Sequence, residues 1–346
     1  LEKIIDVTPS TMTYMLEKLK NYIVIEEEVS KVGKPPQFVL LSRNAWKILS
    51  ISVGREKVRG VLYNARGEEL EQSEYKVRSE HLSEAGIAEL LKTVLDKFYD
   101  YDSIGIAFSG NVVDDKVYSK ILKLNKFDPI KSLKLKQLGV PYVILSDVEA
   151  IAAYESKSTG KDKVLILNYG TGIGACYYEY RALFSREEFK DIPLGHIYFG
   201  GTEKCYCGAT GCLETVASDY VLVKDYLGNK LKFVDFIEHE EEYFNLLKKV
   251  RNLFRKDEDT ALKLYDKIIS SLAIAVGNLS IILGINEITL YGEGSSEWLA
   301  TILEKRVNDF SKNVNVHVRY GNVKDAVERG TSLEAAVVLV KKKFSK

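Results

Sequence analysis

The chain has no excess of either charge. Over its 346 residues 49 Lys and Arg face 49 Asp and Glu, which argues against a protein coated in nucleic acid but not against one small DNA-binding module. No apolar run passes about 18 residues without a charge or a glycine, so no membrane span is expected. No apolar segment stands at the start, so no secretory signal is read. The chain opens at Leu1 rather than Met, which leaves room for a piece ahead of it. Four cysteines are too few for a disulfide framework at this size, and a reducing, cytoplasmic setting is the simpler reading. Glutamine is nearly absent, with Gln37, Gln72 and Gln137 alone, while Lys, Glu, Ile and Tyr abound, a composition of the heat-adapted kind.

What is present is a core. Apolar residues make up 46% and charged residues 28%, the proportions of a soluble globular protein. The length gives a prior of two to three domains.

Residues 1–45 read differently from the rest. Thr8-Pro9-Ser10 is a helix start, with Thr8 as cap and Pro9 at the first helical position. Met12, Met15, Leu16 and Leu19 then recur at helical spacing as one buried stripe. Tyr22–Glu26 and Gln37–Leu41 read as two strands around a charged turn. Helix then two-stranded wing is the back half of a winged helix-turn-helix. Ser10, Thr11, Thr13 and Tyr14 at the helix start could reach bases or phosphates, and Lys31 and Lys34 in the wing could neutralise phosphates. A net charge of +1 over residues 1–47 does not decide between this reading and a small helical cap packed on the body. Six residues before Val7 cannot supply the two helices that ordinarily precede a recognition helix.

The body begins near Trp46. Strands are expected over Lys47–Ser52, Lys57–Asn64 and a third ending near Val77. Ser83 caps a helix whose Ile87, Leu90, Leu91, Val94, Leu95 and Phe98 share a face. Strands over Ile104–Phe108 and Tyr142–Leu145 follow, the first stopping at Ser109-Gly110-Asn111. The order then recurs. Val164–Asn168, the glycine turn Gly170-Thr171-Gly172-Ile173-Gly174 and Ala175–Tyr180 precede a long helix over Thr260–Leu283. The strand Glu287–Tyr291 ends at Gly292-Glu293-Gly294. Two α/β lobes with a cleft between them fit this repetition.

His196, Cys205, Cys207 and Cys212 are four N/S ligands within about 17 positions, the spacing of a closed tetrahedral zinc site. With no open position, such a zinc shapes a loop rather than hydrolysing anything. Cys176 reads as a buried strand residue. Asp147, between a strand and a helix, reads first as an N-cap and otherwise as a general base. The glycine turn could cradle phosphate or simply make a tight hairpin. Glu214 is a helix-start acid or a ligand contact.

These residues resemble the ROK family of sugar-responsive repressors and sugar kinases. The most specific part is Gly195-His196…Cys205-Tyr206-Cys207-Gly208…Gly211-Cys212-Leu213-Glu214. Leu145–Ala150, Gly170–Gly174, Ile288–Gly294, and Ala326…Gly330 with Ala335-Ala336 add to it. Gly33-Lys34-Pro35-Pro36 stands where the family's repressors carry G-R-P in the wing. The resemblance implies an α/β, actin-like two-lobed ATPase (ribonuclease H-like) fold with an N-terminal winged helix-turn-helix. It divides the chain into a DNA-binding segment (1–45), a first lobe (46–150 with the helix 325–346) and a second lobe with the zinc loop (151–324).

The family's D-x-G-G-T-K phosphate loop is here Ser52-Val53-Gly54-Arg55-Glu56-Lys57. Losing the Asp removes a group that organises Mg²⁺, and phosphoryl transfer depends on such positioning. Gly54, Gly170, Thr171, Gly172, Gly292 and Gly294 are thus expected to be a vestigial phosphate site, with no ATP or Mg²⁺ cofactor. The resemblance places sugar contacts at Gly110, Asn111, Ser146, Asp147, His196 and Glu214, with Ser146 replacing an Asn and Pro193 replacing a Glu. The expectation is a homodimeric repressor, with operator DNA and a small carbohydrate as partners, structural zinc and no membrane. The alternative is an ATP-dependent sugar kinase, of glucokinase or N-acetylhexosamine kinase type, with Asp147 as base.

Overall fold

The computed structural model describes residues 7–27, 37–179, 188–228, 231–310, 312 and 315–344. Lys31, Lys34 and the Gly33–Pro36 turn lie outside them. The chain divides into two compact units, Leu1–Ala150 with Val327–Lys346, and Ile151–Ala326.

The first unit opens with α1 (Pro9–Leu19), where Thr8 Oγ1 accepts from the Thr11 amide and Pro9 stands in the first turn. Met12 is buried, but Met15 is 40% exposed, so the expected stripe is only partly covered. The strands β1 (Ile23–Glu27) and β2 (Gln37–Leu41) pair antiparallel, Ile23 opposite Leu41. The Tyr22 ring lies 6.5 Å from Trp46 and 5.3 Å, edge-on, from Phe344, which joins the head to the body.

The body of this unit is built on β3 (Lys47–Val53), β4 (Lys57–Asn64) and β5 (Glu69–Lys76). The helix α2 (Glu84–Leu95) is capped by Ser83 and buries Ile87, Leu90, Leu91 and Val94. Then come β6 (Ser103–Phe108) and a small antiparallel sheet of β7 (Asn111–Val113), β8 (Lys116–Ser119) and β9 (Leu124–Phe127). After the single-turn helix α3 (Pro129–Ser132) come β10 (Tyr142–Ser146) and α4 (Asp147–Thr159). The main sheet runs β10-β6-β3-β4-β5. Its β3–β4 and β4–β5 pairs are antiparallel, its β3–β6 and β6–β10 pairs parallel.

The second unit repeats this plan. Its strands β11 (Lys163–Tyr169), β12 (Ile173–Glu179) and β13 (Glu188–Ile192) pair antiparallel in turn. The short helices α5 (Glu214–Ala217), α6 (Asp219–Tyr226) and α7 (Phe233–Glu238) precede α8 (Glu240–Arg251) and the long α9 (Glu258–Leu283). Then β14 (Glu287–Tyr291), α10 (Glu297–Phe310) and β15 (His317–Tyr320) complete the sheet. β14 adds parallel to β11, and β15 parallel to β14. The order β15-β14-β11-β12-β13 is the first sheet's topology over again. The closing helix α11 (Ala326–Phe344) returns to the first unit, where Ala335 and Leu339 pack with Ile48.

The expectation of no membrane-length segment needs correcting. By length and composition α9 could span a bilayer, but half of its most apolar stretch is buried within the protein. The helix runs through Gly277, which is buried, because a single glycine weakens a helix without ending it. The helix belongs to the core, with Tyr265, Ile268, Ile269, Leu272 and Val276 packed inside.

Candidate metal centre and ligand-site residues

The loop between β13 and α5 is folded by its own backbone. Cys205 donates to Ala209 O at 2.9 Å, and Phe199 donates to Gly211 O at 2.7 Å. Tyr198 and Cys212 form an isolated bridge, as do Lys204 and Thr210. Gly211 has φ +76°, and a Cβ there would come within 3.0 Å of Gly200 O, so no other residue turns this corner unstrained.

These turns gather His196, Cys205, Cys207 and Cys212, whose ligand atoms all lie within 4.8 Å of one another. Cys205 Sγ is 3.6 Å from His196 Nδ1, and Cys207 Sγ is 3.6 Å from Cys212 Sγ. Tetrahedral bonds of zinc length would hold two thiolates about 3.8 Å apart, so the donor set fits a metal ion. Cys205 and Cys212 are buried and Cys207 is exposed. Burial pushes the Cys205 and Cys212 thiols up. A dication reverses that preference, because thiolates are its ligands. The Tyr206 ring meets His196 edge-on at 5.2 Å and stacks on Phe233 at 5.8 Å, which fixes the imidazole from the side.

Glu214, one residue after Leu213, is only 3% exposed. Its Oε1 accepts from Ile173 N at 2.9 Å. Its Oε2 has no hydrogen-bond partner among the described residues and lies 3.8 Å from His196 Nδ1, too far for a hydrogen bond. Burial raises its carboxyl above the usual range. Gly195 makes this approach possible: a Cβ there would stand 2.6 Å from Glu214 Cγ.

In the first unit the helix cap is Ser146, not Asp147. Ser146 Oγ accepts from Glu149 N at 3.2 Å, while Glu149 Oε2 accepts from Ser146 N at 2.7 Å. This is a capping box, and it corrects the reading of Asp147 as an N-cap. The Asp147 carboxylate instead accepts from Ser109 Oγ at 2.7 Å. Ser146 is buried, its hydroxyl engaged by that cap. Gly110 has φ +143°, and Asn111 opens β7 on the surface.

At the altered phosphate loop Gly54 N donates to Lys57 O at 2.9 Å, a plain hairpin closure, and Glu56 is exposed. Ser52 Oγ donates to Glu328 Oε1 at 2.8 Å, and Arg59 Nη1 lies 3.5 Å from the same oxygen. Glu328 has no signal in the local sequence, because 276 positions separate it from Ser52. In the second unit Thr171 Oγ1 donates to Glu293 Oε1 at 2.7 Å, and Arg251 lies 3.2 Å from that oxygen. Arg251 also binds Asp219, which is fully buried. Sequence reasoning missed Asp219, Arg251 and Glu293 alike.

In the head, Ser10, Thr11, Thr13 and Tyr14 are all exposed, Tyr14 at 63%. Thr8 Oγ1 lies within hydrogen-bond distance of the Ser10 and Thr11 hydroxyls. Thr13 Oγ1 donates back to Pro9 O at 3.0 Å.

The model of the ROK family matches residues 48–342. The chain belongs to the ROK family. Its duplicated sheets are the family's actin-like, two-lobed architecture. Relatives fall on both of the family's sides. N-acetylmannosamine kinase of Haemophilus influenzae is 22% identical over 274 residues, covering 76% of this chain and 86% of its own. The xylose repressor of Bacillus subtilis is 26% identical over 247 residues, covering 66% of this chain and 63% of its own. The chain therefore spans slightly under two thirds of that repressor. Among solved ROK structures, a transcriptional regulator homologous to the Escherichia coli Mlc protein aligns with a TM-score of 0.69 at 20% identity. That alignment covers 98% of this chain and 91% of the regulator.

Proposed function

We propose that the protein is a DNA-binding transcriptional regulator, a repressor, that answers to a small carbohydrate. The observation that carries this reading is the head. One capped helix exposes four hydroxyl-bearing side chains, Ser10, Thr11, Thr13 and Tyr14, beside a two-stranded sheet. Such groups at a helix N-terminus suit phosphates and base edges. Lys31 and Lys34 belong to the same reading. The head does not stand loose, since Tyr22 ties it to Trp46 and Phe344. Two half-sites on an operator imply a homodimer. Reduced thiols in the metal loop suit a cytoplasmic protein.

The carbohydrate class rests on hydrogen-bonding groups in each unit, taken separately. Asp147 is held by Ser109 and is not consumed by a helix cap. Glu214 and His196 are held by Gly195, Ile173 and Tyr206. Sites built to bind hydroxyls reject ligands that lack them. We assign His196, Cys205, Cys207 and Cys212 to a structural zinc ion. Bound there, zinc supplies cross-linking of the loop, not catalysis.

The test is fluorescence anisotropy against genomic fragments from the host at several salt concentrations. Expected are submicromolar binding at 150 mM salt and a logarithmic salt slope that reports several phosphate contacts. Thr11→Ala and Tyr14→Ala should each weaken binding about tenfold. Binding that never exceeds the non-specific level on any fragment would reject the reading.

A second reading, ATP-dependent sugar kinase, is favoured by one observation: the Asp147 carboxylate is oriented by a hydroxyl, as a general base would be. Steady ATP consumption with glucose, N-acetylglucosamine or N-acetylmannosamine, abolished by Asp147→Asn, would establish it.

A further inference from the structure

The glycine turn between β11 and β12 has the composition of a phosphate cradle, yet its Thr171 and Ile173 donors are already used by carboxylates of the same chain. The Thr171 hydroxyl donates to Glu293 Oε1 at 2.7 Å, with the Thr171 amide 3.5 Å from the same oxygen. The Ile173 amide donates to Glu214 Oε1 at 2.9 Å. The Gly170 amide closes on Gly172 O at 3.1 Å. The Glu293 side chain lies against Gly170, where an added Cβ would come 2.7 Å from Glu293 Cγ.

This arrangement is anchored. Arg251 holds Glu293 on one side and the fully buried Asp219 on the other. Asp219 N in turn donates to Gly170 O at 3.0 Å, and Gly294 N donates to Tyr169 O at 3.0 Å. The turn, the Gly292–Gly294 corner and the start of α6 are thereby locked as one piece. The Glu293 side chain is 54% exposed; the desolvation it does suffer works against ionisation, but Arg251 and the Thr171 hydroxyl outweigh it and hold the carboxyl below its usual range.

A phosphoryl group entering here would need the Thr171 donors that Glu293 holds and the Ile173 amide that Glu214 occupies, and would meet the negative charge of Glu293. We propose that Glu293 is an internal anion that closes the 169–173 turn to phosphoryl groups, so that this part of the fold admits uncharged ligands and excludes polyphosphates. The proposal deepens the regulator reading and rests on it. It names the residue that keeps nucleotide out of the second unit, independently of the altered loop at Ser52.

The experiment is isothermal titration of the full chain with sodium pyrophosphate and, separately, with ATP. Wild type should give no saturable heat up to millimolar ligand. Glu293→Ala should bind pyrophosphate at least tenfold more tightly than wild type, and Glu293→Gln, which keeps the size and loses the charge, should show a smaller gain. Melting curves report whether each variant folds; if Glu293→Ala does not, Glu293→Gln decides alone. Saturable pyrophosphate binding by wild type would overturn the proposal, as would folded variants that bind no better than wild type. Operator binding is measured on the same wild-type preparation. Its absence rejects the regulator reading and leaves the pyrophosphate comparison standing.

Discussion

The Ser52 hydroxyl donates to the buried carboxylate of Glu328 at 2.8 Å, at the end of the strand where the family's kinases present an aspartate. A carboxylate is thus still present at this corner, but it arrives from α11 and is neutralised by Arg59. Restoring the family residue by Ser52→Asp would set two carboxyls side by side. One must then stay protonated or repel the other. The variant should lose about 2 kcal/mol of stability at pH 8 and less at pH 5, where that proton is easier to keep. It should gain no ATP turnover. Denaturant melts at both pH values and a coupled ATP assay check this.

Cys207 is the exposed member of the His/Cys cluster assigned above to zinc, so Cys207→Ser removes one proposed ligand without carving a cavity. Metal analysis should find about one zinc per chain in wild type and a fraction of that in the variant. The melting temperature should fall by roughly 5 °C or more, and a strong chelator should lower wild type similarly.

Asp191 provides a pH dependence whose sign is fixed by its environment. Burial pushes its carboxyl up to about 6, against about 3.9 in an unfolded chain. Between those values the folded state holds a proton that the unfolded state has released, so stability falls as pH rises from about 4 to 6. Asp191→Asn should therefore be more stable than wild type by about 3 kcal/mol at pH 7.5 and equal to it near pH 3.5. Urea midpoints across that range test both ends.

Tyr22→Ala removes the ring that joins the head to Trp46 and Phe344. Edge and offset aromatic pairs contribute about 0.5–1.5 kcal/mol each, so the junction should open while the body keeps its melting temperature within about 2 °C. Hydrogen exchange should accelerate in residues 37–46 and not in β6. If the protein is the proposed dimeric regulator, operator affinity should drop as well, because the spacing of paired heads would no longer be fixed.

The parts legible in the sequence were those with local signals. Alternating or continuous apolar runs gave the strands around Leu49, Ile106 and Leu167, and Ser83 marked the start of α2. The spacing from His196 to Cys212 announced that these four side chains would gather where they could hold a metal ion. The short strands β7–β9 and β13 carry little periodicity and went unread. Asp147 was misread although the signal was there, because Ser146-Asp147-Val148-Glu149 is itself a capping-box sequence and assigns the cap to Ser146. Glu328, Asp219, Arg251 and Glu293 were out of reach for another reason. Each finds its partner across 32 to 276 positions, and nothing in a linear string ties Ser52 to Glu328 before the chain has folded.

The return of α11 to the first unit has a consequence for biogenesis. Residues Ile151–Ala326 form an uninterrupted stretch and can become native while the ribosome is still translating. The earlier-made unit must wait for Val327–Lys346, because Ser50 and Ser52 bond to Glu328 and Ile48 packs on Leu339. Maturation therefore runs against the order of synthesis, and the unit that carries the amino-terminal helix and hairpin is the last to be finished.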